Sequence, residues 1–214
     1  MQAFVRSAAK DALQKIVFPG RFVWRLPAST RALALTFDDG PHPEWTPAAL
    51  DMLGRAGVHA TFFLIGREVQ RHPDIVRRIV AEGHAVGGHS FDHTVITGQS
   101  SAALVADLAR CRDAIADASG AVTRLFRPPK GEVSFGSIRT VCRAGFTLVH
   151  WSKTYSDYKH DGAPALIGRI ERLGADERDI LLFHDNNGHT VEALERAVQR
   201  WTDAGHRFEI LREA

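Results

Sequence analysis

The chain has no uninterrupted apolar run approaching the roughly 18 residues that suggest a membrane span. Its first residues also lack the apolar core and small-residue cleavage site of a secretory signal, so Met1 reads as the start of the mature chain. Cysteine is scarce: Cys111 and Cys142 stand alone, without C-x-x-C spacing, which argues against a disulfide scaffold or a thiolate metal site. Both sit in helix-like, partly apolar surroundings and read as buried free thiols in a reducing compartment. Charge of one sign is lacking too. The 27 Lys and Arg against 25 Asp and Glu leave a net charge of +2. No basic run lies beside aromatics, so nucleic acid is not an expected partner. The expected location is the cytoplasm or the periphery of the inner membrane face.

What is present is an ordinary globular composition, 214 residues with 44% hydrophobic and 24% charged, enough for one sizeable core. Phe4, Val5, Ala8, Ala9, Ala12, Leu13, Ile16 and Val17 recur at helical steps with Arg6, Lys10 and Lys15 between them, an amphipathic helix ended by Pro19-Gly20. Its stripe reads first as a face docked on the chain's own domain, and second as a peripheral membrane contact. Residues 1–29 form this N-terminal extension and 30–214 the main domain.

From Arg31 onward, short β-rich runs alternate with helical periodicity, the pattern of parallel strands joined by crossover helices. Strands are expected over Ala32–Phe37, Ala60–Ile65, Ala85–His89, Arg124–Arg127, Thr147–Trp151, Ile180–His184 and Arg207–Leu211. Helices are expected over Pro47–Arg55, Pro73–Glu82, Ala102–Ala118, Phe135–Ala144, Ala163–Leu173 and Val191–Ala204. Seven strands fit either a barrel or an open doubly wound sheet, and periodicity does not choose between them.

Both architectures place their sites at the carboxyl ends of the strands, and polar residues gather there. Asp38 and Asp39 end the first strand, His89 the third, Arg127 the fourth, Trp151 the fifth and His184-Asp185 the sixth. Alone, Asp38-Asp39-Gly40 also reads as a solvated turn. His89 and His93, four apart, can face one ion, and a carboxylate from the first strand completes a two-histidine, one-aspartate set with positions open for catalysis.

TFDDG (Thr36–Gly40), HSFDH (His89–His93), RPPKG (Arg127–Gly131), WSKTYSDY (Trp151–Tyr158) and LLFHD (Leu181–Asp185) follow one another as in the polysaccharide deacetylases. Over roughly residues 30 to 212 the chain resembles the catalytic domain of carbohydrate esterase family 4, the chitooligosaccharide deacetylase homology domain. The resemblance implies an α/β fold, a distorted seven-stranded (β/α) barrel of TIM-barrel type. It implies a divalent metal, zinc in the first place and cobalt in the second, on Asp39, His89 and His93. Asp38 would be the base that takes a proton from the attacking water, and Arg127 would pair with it. His184 would be the acid that protonates the departing amine, supported by Asp157. The backbone N–H at Lys130 would face the oxyanion. Leu182 would shape the acetyl-methyl pocket, and Trp151 and Tyr158 would wall the cleft.

Three positions depart from the family pattern. Lys130 stands where tyrosine is common, and Tyr158 where tryptophan is usual. Thr154 replaces an aspartate that would tether the arginine, so Arg127 is expected to be less firmly held. Trp45, Phe91, Trp151, Tyr155 and Tyr158 could form a sugar-stacking platform or belong to the core. The expected function is metal-dependent removal of N-acetyl groups from amino-sugar residues of a glycan, lipid-linked forms included. The alternatives are a same-fold amidase or deformylase and an inactive carbohydrate-binding homologue.

Overall fold

A computed structural model describes residues 11–12, 16–18, 21–159 and 161–213. The first two strands are β1 (Phe22–Val23), of two residues, and β2 (Ala32–Asp38), of seven. Helix α1 (Trp45–Ala56) leads to β3 (Thr61–Leu64), and two helices, α2 (Gly66–Arg71) and α3 (Pro73–Ala81), lead to β4 (Ala85–Gly88). Helix α4 (Ser101–Ser119) returns to β5 (Leu125–Phe126), and a 3-10 turn at Pro129–Gly131 and α5 (Phe135–Arg143) precede β6 (Thr147–Val149). Then come β7 (Lys153–Thr154), a 3-10 turn at Asp157–Lys159, α6 (Ala163–Leu173), β8 (Ile180–His184), α7 (Gly188–Asp203) and β9 (Arg207–Phe208).

The helices start and stop where local chemistry satisfies their orphan amides and carbonyls. Ser100 accepts the Ala103 N–H to cap α4, and Gly120 closes it in the left-handed region at φ 74°. Ser134 and Ser137 form a reciprocal capping box on α5, Asn187 caps α7 through the Thr190 N–H, and Pro73 occupies the first turn of α3.

All seven expected strands and all six expected helices of the main domain are present within a few residues. Three short elements were not anticipated. β1 and β7 span two residues each, too few to show an alternation, and α2 has only Gly66 and Val69 buried. β1 also falls inside the stretch expected to be an extension, so the sheet begins before residue 30. The amphipathic helix expected over Phe4–Val17 lies largely outside the described residues.

The strands run in the order β1-β6-β5-β4-β3-β2-β8-β7, each neighbouring pair parallel, with β9 alongside the start of β2. The sheet curls into the distorted TIM-like barrel. Where β1 and β7 leave a seam, Asp179 draws the edges together. It bridges to Arg25, whose guanidinium donates to its carboxylate at 2.7 Å, and it takes Ser152 at 2.7 Å and the Lys153 ammonium at 3.2 Å. Burial opposes ionisation of Asp179, but the Asp176 N–H, Ser152 and Arg25 outweigh it and hold the carboxyl below its ordinary value.

Period-two alternation sorts every strand into two faces. In β2, Leu33, Leu35 and Phe37 join Phe62, Leu64, Leu181 and Phe183 in the layer beneath the helices. Ala32 and Ala34 point into the barrel with Phe63, Leu125, Val149 and Ile180. Continuing the same face upward puts Thr36 and Asp38 inside the barrel mouth. The register pairs Thr36 with Leu182 and Asp38 with His184, so these four side chains share one interior surface.

Gly87 faces the same interior, where a Cβ would lie 2.7 Å from the Phe63 ring and 3.1 Å from Leu125 Cβ. Gly87→Ala is expected to cost about 1–3 kcal/mol by overpacking. Combining it with Phe63→Leu, which frees the space, should recover part of that loss in thermal denaturation. Additive losses in the double variant would contradict this packing.

Candidate active site

Arg127 leaves β5 pointing into the barrel and is completely buried, its guanidinium 4.1 Å from the centre of the Phe63 ring. Its NH1 donates to Thr36 Oγ1 at 2.7 Å and to Asp38 Oδ1 at 2.7 Å, and its NH2 donates to the His150 carbonyl at 3.3 Å. Burial disfavours the guanidinium charge, and Asp38 works against that. The expectation of a loosely held Arg127 is therefore corrected. Thr36, the His150 carbonyl and the Phe63 ring hold it without a carboxylate at position 154, where Thr154 instead accepts the Ser156 N–H.

Asp39 comes one residue after the interior-facing Asp38 and has φ 76°. That left-handed turn rotates its carboxylate back over the mouth toward the histidines. The loop after β4 uses the same device, with Ser90 at φ 64° and His93 at φ 58°. Each such non-glycine residue costs about 1–2 kcal/mol, so the surrounding bonds must hold it. Asp39 Oδ1 lies 3.5 Å from His89 Nε2 and 3.3 Å from His93 Nε2. The His89 ring contacts the Arg127 carbonyl through Nδ1 at 2.8 Å; with the proton there, Nε2 carries its lone pair into the cavity.

These donors fit a divalent metal. Asp39 Oδ1 is buried and makes no hydrogen bond among the described residues. The ligand atoms of Asp39, His89 and His93 all lie within 4.8 Å of one another, one carboxylate oxygen and two imidazole nitrogens. Tetrahedral coordination with bonds of about 2.0–2.1 Å separates ligand atoms by about 3.3 Å, close to the observed spacings. Burial keeps His89 below its ordinary pKa and hence neutral, as a ligand must be. Burial resists ionisation of Asp39 as well, but the His93 imidazole close by, with those of His89 and His184 around it, lowers its pKa to about 2.

His184, at the end of β8, faces Asp38 across the register. Its Nδ1 is 3.0 Å from Asp157 Oδ1, and its backbone N–H donates to Asp157 Oδ2 at 2.7 Å. Asp157 is fully buried and also takes the Thr190 hydroxyl at 3.2 Å. Burial works against the His184 charge, but the Asp157 hydrogen bond and the fields of Asp157, Asp38 and Asp39 raise its pKa to about 9. A pKa raised above the unfolded value contributes stability fully present below about 6.5 and lost as pH rises through about 9.

The outlying expected residues are distributed around this centre. Leu182 is buried two positions before His184 on the same face. Trp151 is half-buried and stacks on His150 with ring centres 4.2 Å apart, and Tyr158 is exposed, edge-on to His184 at 6.3 Å. Lys130 is exposed in its 3-10 turn with φ 58°. Phe91 and Tyr155 are core residues, not platform: Phe91 is buried, and buried Tyr155 donates its hydroxyl to the Gly174 carbonyl at 2.7 Å.

Several supporting residues were missed by the sequence reading. Thr36 was detectable, since it lies two before Asp38 on one strand face. Asn186, whose Nδ2 donates to Asp39 Oδ2 at 3.3 Å, and Thr190 carried no local signal. Asp185 is buried over Gly40, where a Cβ would lie 2.4 Å from its carboxyl, and it takes the Thr46 hydroxyl at 2.5 Å. Burial first, and the charge of Asp39 with it, raise the Asp185 pKa to about 7 against the Thr46 bond.

The chain belongs to the polysaccharide deacetylase family, whose model matches residues 25–149. It is 33% identical over 202 residues to a peptidoglycan-N-acetylglucosamine deacetylase of Bacillus cereus, covering 92% of this chain and 94% of that one. It is 36% identical over 162 residues to a chitooligosaccharide deacetylase of a Bradyrhizobium species, covering 74% and 72% of the two. The fold is similar to the crystal structure of the Bc1960 peptidoglycan N-acetylglucosamine deacetylase, with TM-score 0.84, 29% identity and coverage of 89% and 91%. It is also similar to BA3943, a carbohydrate esterase family 4 pseudoenzyme from Bacillus anthracis, with TM-score 0.81, 25% identity and coverage of 87% and 66%.

Removing one member of the buried Arg127–Asp38 pair leaves the other charged and unpaired. Arg127→Met is expected to lower stability at neutral pH by about 3–5 kcal/mol in denaturant unfolding. The double variant Arg127→Met with Asp38→Asn should lose less than Arg127→Met alone.

Proposed function

We propose that the protein is a metal-dependent N-deacetylase removing acetyl groups from amino-sugar residues of a poly- or oligosaccharide of peptidoglycan or chitin type. The observation that carries this reading is the meeting, at one barrel mouth, of a buried carboxylate clamped by arginine, a metal-donor trio and a carboxylate-backed histidine. The family and the names of the relatives agree with it. The domain that carries this activity includes β1 and runs to the end of the described chain.

A divalent metal on Asp39, His89 and His93 would supply Lewis acidity for the acetyl carbonyl and for the attacking water. Zinc suits the donor set. The remaining work falls to the chain's own groups. Asp38, fixed by Arg127 through Oδ1, accepts the water's proton on Oδ2 as the water attacks the carbonyl carbon. The Lys130 N–H donates to the developing oxyanion. Leu182, one step below His184 on the interior face of β8, bounds the space for the acetyl methyl, and Trp151 and Tyr158 flank the sugar. His184 enters the reaction protonated and gives its proton to the sugar nitrogen as the C–N bond breaks, releasing acetate and a free amine.

A same-fold amidase acting on non-sugar amides predicts hydrolysis of simple acyl amides without a sugar requirement. A binding-only homologue predicts glycan binding without acetate release, and the presence of every expected base, acid and donor residue argues against it. No helix among the described residues is long and apolar enough to cross a membrane, and nothing among them supports a lipid-linked substrate or a membrane contact.

Two measurements test the reading. Asp38→Asn should lower acetate release from N-acetylated chitooligosaccharides by about 10²–10⁴-fold while metal stays bound, whereas Asp39→Asn should lose the metal. Metal retained in Asp39→Asn and lost in Asp38→Asn would reverse the assignment. The second measurement is the pH profile of kcat/KM. Because the acid must be protonated, activity should fall as pH rises past the His184 pKa, and Asp157→Asn, which removes the charge raising that pKa, should move this limb to lower pH. An alkaline limb unmoved by Asp157→Asn would exclude His184 as the acid.

A further inference from the structure

We infer that Asp107, on α4 and outside the catalytic constellation, is a positioning residue that holds the loop carrying both histidine donors in its metal-binding form. This rests on the metal reading proposed above. The loop from His89 to His93 turns on two left-handed non-glycine residues, Ser90 and His93, a conformation that an unsupported chain avoids. Asp107 Oδ1 accepts the Phe91 N–H at 3.0 Å and faces the Ser90 hydroxyl at 3.4 Å. The Ser90 oxygen accepts the Thr94 N–H at 3.0 Å, which closes the loop across His93.

The opposite side of the loop is pinned by α2. The Gly66 and Arg67 N–H groups donate to the Ser90 and Phe91 carbonyls at 3.1 and 2.9 Å. These are the first amides of a helix, with no partner inside it, so they favour carbonyl oxygens there. One turn along α4 from Asp107, the Arg110 guanidinium covers the Phe91 ring at 3.4 Å and lies 3.7 Å from Asp92. Asp107 is the side-chain acceptor that reaches the middle of the loop. Its other oxygen, Oδ2, is buried with no hydrogen-bond partner among the described residues. A helix-surface residue that needed only solvation would not keep a carboxylate oxygen in that position.

The chemistry needs an acceptor at Oδ1, not a charge, which separates two substitutions. Asp107→Asn keeps a carbonyl oxygen able to accept both donors, and Asp107→Ala keeps none. Leu108→Ala, at the next position of α4, which packs in the apolar cluster of Leu104, Phe126 and Ile138 and makes no side-chain hydrogen bond to the loop, supplies a fold-weakening control.

The experiment titrates metal-free protein with Co2+, followed by visible absorption and calorimetry, with thermal denaturation in parallel. Asp107→Ala should weaken Co2+ binding about 10–100-fold, as loss of an outer-shell partner does, and alter the cobalt spectrum. Asp107→Asn should stay close to the unsubstituted protein, and Leu108→Ala should lower Tm with Co2+ affinity unchanged. Wild-type affinity in Asp107→Ala, equal weakening in Asp107→Asn, or equal weakening in Leu108→Ala would each overturn the inference and leave the metal reading standing. An unsubstituted protein that binds no Co2+ would overturn the metal reading, and the inference with it.

Discussion

The site depends on one arginine used twice. The Arg127 side chain crosses the barrel interior to bind Thr36 and Asp38, and its backbone carbonyl faces His89 Nδ1. A single residue therefore sets the orientation of the proposed base and of one proposed metal donor. A buried guanidinium is expensive to desolvate, and its paired carboxylate, a hydroxyl, a carbonyl and the Phe63 face together offset that cost. The pair cannot be loosened from one end without stranding charge at the other, which favours a rigid, preorganised mouth.

The two adjacent aspartates owe their different placements to backbone geometry. Asp38 is the last inward residue of a strand whose even-numbered side chains line the barrel, in register with His184. Asp39 would point outward if the strand continued, but its left-handed φ turns it over the rim to face His89 and His93. Gly40 then gives room for the buried Asp185 carboxyl, which fastens the turn to the segment after β8. The proposed base and the proposed donor can thus be neighbours in sequence with separate hydrogen-bonding environments, one buried against arginine and one open toward imidazoles.

Electrostatics divides the site along the same line. Burial, against the opposing fields of Asp38 and Asp39, keeps His89 below its ordinary pKa and so neutral, and its Nδ1 meets the Arg127 carbonyl. His184 is also buried, yet Asp157 on Nδ1 keeps it protonated near neutral pH. The partner of the far ring nitrogen, a carbonyl in one case and a carboxylate in the other, separates the proposed ligand from the proposed acid.

Much of this was legible in the chain. Alternating β-rich and helical runs indicated parallel strands with crossover helices, and period-two patterning placed the polar residues at strand ends, because burial on both faces leaves polarity only where a strand emerges. The ordered motifs pointed to the family. Short elements were not legible: β1, β7 and α2 are too brief for a repeat to show, and tertiary bonds, such as those from Gly66 and Arg67 to the His89–His93 loop, define them. Nor could sequence tell Phe91 and Tyr155 from rim aromatics, since exposure is a property of what packs above a ring. Composition and motif order determined the class of fold and the kinds of chemical group available. Only the tertiary structure decided that Arg127 is firmly held without an acidic residue at 154, and that Asp107 and Asn186 support the site, because those last contacts join residues 16 and 147 positions apart whose proximity no local pattern encodes.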